Sequence, residues 1–578
     1  MKAISFAFLF CIGSFFSLAQ TAPEPAHPIL KQTLLDMRAF REQERKLDQN
    51  SGFPLGLHGA AAAKRSHDFA LGIQKRIQQI DRSSLSFADE INAELLSYSL
   101  EDDISDYQYR SYLNPLLSEG GFHTNITGMS NAVIRNAADA SDYLKRLSDV
   151  PRYMEEHFGL IREGLAVGIA QPYDVIKSFN NTYEIHIVEK PEQSQFWKPF
   201  QQKPSGIADA EWQKILTEAK ATIMEKVVGG YRSVKTFFEK EYLPKAPKKP
   251  GAQFFPSGLD FYQERVRHFT TTDLHYDSIF QIGLAEVSRI QKAMKQVKDQ
   301  VGFTGSMQDF IQSLRTDPRF YPKTGEELLK EASFIAKKID GKLPSLFGRL
   351  PRQPYGVEPV PAEIAPTYTA GRYSPSPINS TRAGHYWVNL YNLPSRTLYT
   401  LEALTLHEAV PGHHLQMSLT QELENLPSFR RNLYVNAFGE GWGLYAESLG
   451  EEIGLYKDPY SKFGQLTYDM WRACRLVIDV GLHAKGWTRQ QAVDYLASNT
   501  ALSLHEVNTE INRYIAWPGQ ALAYKMGELK IKELRQRATS ALGDKFDVRK
   551  FHDLILSEGT LTLRLMEKLV DRYIASNK

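Results

Sequence analysis

Cysteine is nearly absent, with two in 578 residues. Cys11 lies in an apolar leader, so removal of that leader isolates Cys474 and no internal disulfide can form. Stability must then come from a large core, for which an apolar fraction of 42% is ample. Cys474 sits among Arg472, Arg475 and apolar residues at helical spacing, and no G-x-S-x-G elbow occurs. Both observations argue against a cysteine or serine nucleophile. Excess charge is also missing. A net charge of +2 points to neither nucleic acid nor an anionic membrane surface as partner. The short basic stretch at 245–250 is broken by Pro247 and Pro250 and reads as a solvated linker. Internal repeats and long low-complexity segments are absent as well.

Residues 1–19 start with Met1-Lys2, continue as an apolar run and end in Ser17-Leu18-Ala19 before Gln20. A positive start, an apolar middle and a small-x-small cleavage site make a secretory signal. The run is short and poorly flanked by positive charge for a retained anchor. Phe10 before Cys11 is unlike the small residue of a lipoprotein acceptor site. The expectation is an exported, periplasmic protein with no stable membrane association after cleavage.

Most of the remaining chain reads as amphipathic helix. Apolar residues recur at three- and four-residue steps through 71–80, 153–167 and 279–297. The chain is too long for one ordinary small domain. Proline and glycine at 244–258 suggest a boundary, with an N-terminal helical lobe over 20–250 and a C-terminal catalytic helical lobe over 251–578. A second break runs from Pro351 to Pro377. After it, Tyr386-Trp387-Val388-Asn389-Leu390-Tyr391 reads as a strand. Such a strand could pair with an extended peptide through its backbone, and Asn389 is a candidate substrate contact. Ser395 is placed to cap the helix that follows.

The most informative segment is Leu406-His407-Glu408-Ala409-Val410-Pro411-Gly412-His413-His414-Leu415-Gln416. It holds three histidines and a carboxylate, and a His-Glu pair with a further His is a zinc-peptidase pattern. The usual partner of His407 is four residues on, where one helix face would carry both rings. Here that residue is Pro411, which cannot ligate, lacks an N–H and breaks the turn. A bend between Glu408 and His413 is the expected result. His413 is the preferred second ligand. His414 is the rival, returning almost to the same face but roughly 10 Å along a straight helix. The other His-Glu pair, His505-Glu506, has Thr509 one turn later and reads as ordinary helix surface.

Catalytic zinc usually takes three protein ligands. Glu440 and Glu447, seven apart in Phe438-Gly439-Glu440-Gly441-Trp442-Gly443-Leu444-Tyr445-Ala446-Glu447, share a helix face. Glu440 is the chosen ligand; the other carboxylate could hold a ligand histidine from behind. The glycine alternation lacks nucleotide-loop spacing. With these segments, Trp471-Arg472-Ala473-Cys474-Arg475-Leu476-Val477-Ile478-Asp479 with Gly481-Leu482-His483, and Arg513-Tyr514 followed by Pro518-Gly519-Gln520-Ala521-Leu522-Ala523-Tyr524-Lys525, the chain resembles the bacterial domain-of-unknown-function family 885 (DUF885). The resemblance spans most of the chain beyond the leader. It implies a gluzincin-like zinc peptidase: a mainly α, large helical metallopeptidase architecture with a deep central cleft and a small β element beside the metal helix. Gly443 stands where the resemblance leads one to expect alanine, a change that weakens the helix slightly without touching a ligand.

The chemistry expected is hydrolysis of short peptides with one Zn2+ ion held by His407, His413 and Glu440. Glu408 is the general base. An oxyanion donor is also needed, and the candidates are Tyr514, Tyr524 and His483. Arg513 is a candidate for a substrate carboxylate, and Tyr524 is a further substrate-binding candidate. The alternatives are a zinc hydrolase of a non-peptide amide or ester, or an inactive metal- or peptide-binding protein.

Overall fold

The computed structural model describes residues 23–578 apart from positions 363, 366, 367 and 379. The signal expected at 1–19 lies outside the described residues. The fold is mainly α, with 69% of the structure helical and 3% strand. The described chain divides into two compact units, Pro25–Phe261 and, together with residues 23–24, Tyr262–Lys578.

In the first unit, helices Ala60–Gln78 and Val150–Val167 form where the apolar spacing marks them. Helix starts follow local chemistry. Ser86 accepts a hydrogen bond from the N–H of Asp89, and Asn136 from that of Asp139, capping helices Phe87–Ser99 and Ala137–Ser148. The core is aromatic. Phe158 stacks on Phe237 at 4.4 Å, and Phe122 on His157 at 4.9 Å. Burial holds the imidazoles of His123 and His157 down to about 3, so both are neutral in the folded state.

The second unit is built on two long helices, α1 (Tyr276–Gln300) and the central α5 (Pro459–Ala484). They approach closely at Gly283, where a Cβ would lie 2.7 Å from that of Leu476. Cys474 is free and buried here, and burial raises its thiol far above its usual range. A small sheet precedes the motif: β1 (Tyr355–Pro359), β2 (Gly371–Ser374) and β3 (Gly384–Val388). β3 is the middle strand, parallel to β1 and antiparallel to β2. The strand expected at 386–391 therefore starts earlier and stops at Val388. Both its edges are already paired, so it cannot add a peptide; the sheet's edges are β1 and β2.

Helices α2 (Leu401–Glu408), α3 (His413–Gln421), α4 (Asn436–Glu452), α6 (Leu504–Ala516) and α7 (Ala523–Leu542) complete the frame. Ser395 does not cap α2. It ends a separate short 3-10 turn and its hydroxyl donates to the carbonyl of Asn392, while Thr400 is the capping position. α4 and α7 touch backbone to backbone. A Cβ on Gly441 would lie 2.5 Å from Cα of Gly527, and one on Gly527 would lie 1.9 Å from the carbonyl oxygen of Ala437. The glycines of α4 thus serve helix packing, consistent with their lack of nucleotide-loop spacing.

Candidate metal centre

The chain does not bend between Glu408 and His413; it breaks. α2 ends at Glu408, α3 begins at His413, and residues 409–412 form a tight connection whose Val410–Pro411 peptide is cis. Pro411 supplies no N–H to continue α2. Gly412 folds back so closely that a Cβ would meet the carbonyl oxygen of His407 at 1.9 Å, so no larger residue fits. The indole N–H of Trp442 donates to the carbonyl of Pro411 at 2.8 Å and fixes the loop to α4.

This break brings His413 to His407, with ring centroids 4.8 Å apart and planes nearly perpendicular. Glu440 reaches both from α4. Its Oε2 lies 3.6 Å from Nε2 of His407 and 3.4 Å from Nε2 of His413. Potential ligand atoms of the three residues all fall within 4.8 Å of one another. Two imidazole nitrogens and one carboxylate oxygen at this spacing fit a catalytic zinc donor set. Nδ1 of His413 is buried without a hydrogen-bond partner. His414 points elsewhere. Its Nδ1 lies 2.8 Å from the hydroxyl of Tyr373, its ring packs on Tyr355 at 4.6 Å, and burial lowers its pKa to about 4.

Behind the cluster, Nδ1 of His407 lies 2.8 Å from Oε1 of Glu447, which is fully buried. An Nδ1–H donated there leaves Nε2 facing Glu440 and His413. Arg472 approaches Glu447 at 3.3 Å from the far side. Gly443 does touch a ligand: a Cβ there would meet the His407 ring at 2.7–3.0 Å. The missing methyl seats the imidazole against α4, which helix propensity alone does not reveal.

The imidazoles and carboxylates of the cluster shift one another's titration. Burial works to lower the pKa of His407, but the carboxylates of Glu440 and Glu447 outweigh it and raise the value to about 10. Burial pushes Glu440 the other way, yet His407 and His413 hold it well below the ordinary carboxylate range. Glu408, also buried, accepts a 2.8 Å hydrogen bond from the backbone N–H of Tyr373 in β2. That bond ties the sheet to the residue beside the cluster.

The remaining candidates separate. The ring of Tyr524 stacks near that of His407, 6.4 Å away and tilted by 21°, and its hydroxyl accepts from Arg513 at 3.0 Å. Tyr514 is buried instead in the core, its hydroxyl accepting from Trp471 at 2.7 Å and from Arg475 at 2.9 Å. His483 has Nε2 on the carbonyl oxygen of Tyr514 at 2.9 Å, and its ring packs on Tyr262. Neither is brought to the cluster by these contacts. Asn389 is fully buried. Its amide donates to the carbonyls of Ala365, Tyr368 and Thr369 and accepts from the N–H of Tyr391. It staples its own loop and has nothing left for a substrate. Glu506 of the second His-Glu pair caps α6 through Ser503. Sequence reasoning missed Tyr434, whose hydroxyl donates to Oε1 of Glu440 at 3.1 Å. It belongs to the connection before α4, and no spacing rule marks it.

Residues 55–570 match the family described as bacterial protein of unknown function, DUF885. The chain belongs to this family. The DUF885 chain is similar over 95% of its length, with 28% identity and a TM-score of 0.82, to a crystal structure of a presumed lipoprotein of Colwellia psychrerythraea, 97% of which is covered. A presumed lipoprotein of unknown function from Shewanella oneidensis matches at 18% identity and a TM-score of 0.67, over 94% of this DUF885 chain and 100% of that one. That second likeness speaks for the fold alone. No curated protein matches the chain.

Proposed function

We propose that this DUF885 protein is an exported, metal-dependent peptidase that hydrolyses short peptides with a glutamate general base. The carrying observation is the convergence of His407, His413 and Glu440, with Glu408 immediately beside them. Export rests on the composition of residues 1–19 and on the likeness to the presumed lipoprotein of Colwellia psychrerythraea.

His407, His413 and Glu440 would hold the metal, and a divalent ion such as Zn2+ bound there supplies Lewis acidity and brings the pKa of water at the site to about 7. Glu408 takes the proton of the attacking water and later hands it to the leaving amine. The Tyr373 N–H engages Oε2 of Glu408 and fixes the carboxylate's orientation. Glu447 sets the tautomer of His407. Tyr524 is the oxyanion donor: its oxygen accepts from Arg513, so its own O–H is left to point at the developing charge.

The test is to measure metal content and turnover of a mixed peptide library for the wild type and Glu408→Gln. The variant should keep its metal and lose turnover. Equal turnover in both proteins would reject Glu408 as the base, and no turnover of any peptide by metal-loaded wild type would reject the peptidase reading.

A further inference from the structure

Three arginines surround one face of the candidate site. The guanidinium carbon of Arg475 lies 4.2 Å from the Tyr524 ring centroid, that of Arg472 lies 5.9 Å away and that of Arg513 6.0 Å. The same tyrosine stacks near His407. Arg472 and Arg475 are buried to a degree rare for cations. The acids that meet them are shared. Glu447 serves both Arg472, at 3.3 Å, and His407. Glu510 serves Arg475 at 2.8 Å and Arg513 at 3.6 Å. Nε of Arg472 and Nη1 of Arg475 remain buried with no acceptor. A buried donor without a partner is costly. Both guanidinium groups also stack on the Trp471 ring, at 4.2 Å for Arg472 and 4.5 Å for Arg475, which holds them in one layer. Such charges keep a positive potential that water screens poorly, and it falls on the Tyr524 edge of the metal cluster.

We infer that this arginine layer recognises a carboxylate on the substrate close to the bond that is cleaved. Arg513 is the member partly open to solvent, and it makes the direct contact, while Arg472 and Arg475 supply the field behind it. This inference rests on the peptidase reading and gives it a substrate class. Arg513 lies 3.0 Å from the Tyr524 hydroxyl, whose ring is 6.4 Å from that of His407. An extended residue spans at most about 3.6 Å. A carboxylate on Arg513 therefore sits within a few residues of a carbonyl at the metal cluster. The carboxylate is either a free C-terminus, which makes the protein a carboxypeptidase, or an acidic side chain at that position.

Three acetylated peptides separate these sources: trialanine with a free C-terminus, the same peptide amidated, and an amidated version ending in aspartate. The free acid should be cleaved at least tenfold better in kcat/KM than the neutral amide. An amidated aspartyl peptide as good as the free acid assigns the site to an acidic side chain; one as poor as the neutral amide assigns it to the C-terminus. Arg513→Gln should abolish the preference for the acid over the amide, with metal content and melting temperature unchanged, and Arg513→Lys should restore part of it. Equal cleavage of all three peptides, or an intact preference in Arg513→Gln, overturns the inference. Calorimetric binding of the free acid and the neutral amide to Glu408→Gln gives a readout independent of turnover. Tighter binding of the acid supports the carboxylate site even if the peptidase reading fails, and equal binding overturns it.

Discussion

Glu447 meets His407 across the helix packing, carboxylate oxygen to Nδ1 at 2.8 Å, forty residues apart in the chain and both buried. The contact fixes which imidazole nitrogen faces His413 and Glu440. Replacing Glu447 with Gln should weaken metal affinity by about 10- to 100-fold, as loss of a partner behind a ligand histidine typically does. Competition with a chromophoric chelator measures it. Affinity equal to that of the wild type would mean that His407 is oriented by other contacts.

His413 and His414 should behave differently although they are neighbours. His413→Ala should abolish stoichiometric metal binding. His414→Ala should keep the metal and lose the hydrogen bond to Tyr373, at a cost of about 1–3 kcal/mol measured by denaturant unfolding. The reverse pattern in metal content would contradict the geometry.

Tyr524 and Tyr514 make a second discriminating pair. Tyr524→Phe should lower kcat by roughly 10²–10³ with little change in KM, as removal of an oxyanion donor does. Tyr514→Phe leaves Trp471 and the buried Arg475 without their acceptor. It should act mainly on stability, and a selective kcat defect in Tyr514→Phe would reverse the assignment.

Asp479 gives stability a pH dependence. Burial raises its pKa from 3.8 to about 7, against the hydrogen bonds from Tyr262 and the N–H of Gly519. Between these values the folded state keeps a proton that the unfolded state has released. The stability contribution is therefore full below about 4 and declines as pH rises towards 7. Asp479→Asn should flatten the decline in this window, read as melting temperature against pH. A parallel profile for variant and wild type would exclude it.

His123 and His157 act with the opposite sign. Both are held down to about 3 from 6.5. The unfolded chain takes up protons below 6.5 that the folded first unit refuses, so their contribution is present above 6.5 and lost as pH falls towards 3. His157→Phe should reduce the acid sensitivity of unfolding.

Local spacing made much of the site legible. His407, Glu408 and Glu440 stand out because adjacency and helix period are properties of the chain itself, and the seven-residue offset to Glu447 is of the same kind. The Pro-Gly step marked the irregularity but not its form. A full break depends on Gly412 meeting the carbonyl of His407, a contact that exists only in the fold. The same reason hides Tyr434, the seat that Gly443 makes for His407, and the choice among Tyr524, Tyr514 and His483. Asn389 misled because an exposed strand end and a buried loop staple look alike in sequence. The middle strand of the sheet was readable as a strand, but strand order is a long-range property that composition does not carry.

Anomalous diffraction at the zinc edge, from crystals of metal-loaded protein, tests the metal centre most directly. One peak should lie within about 2.0–2.2 Å of Nε2 of His407, Nε2 of His413 and a carboxylate oxygen of Glu440. No peak there, or a peak bound through His414 instead, would contradict it.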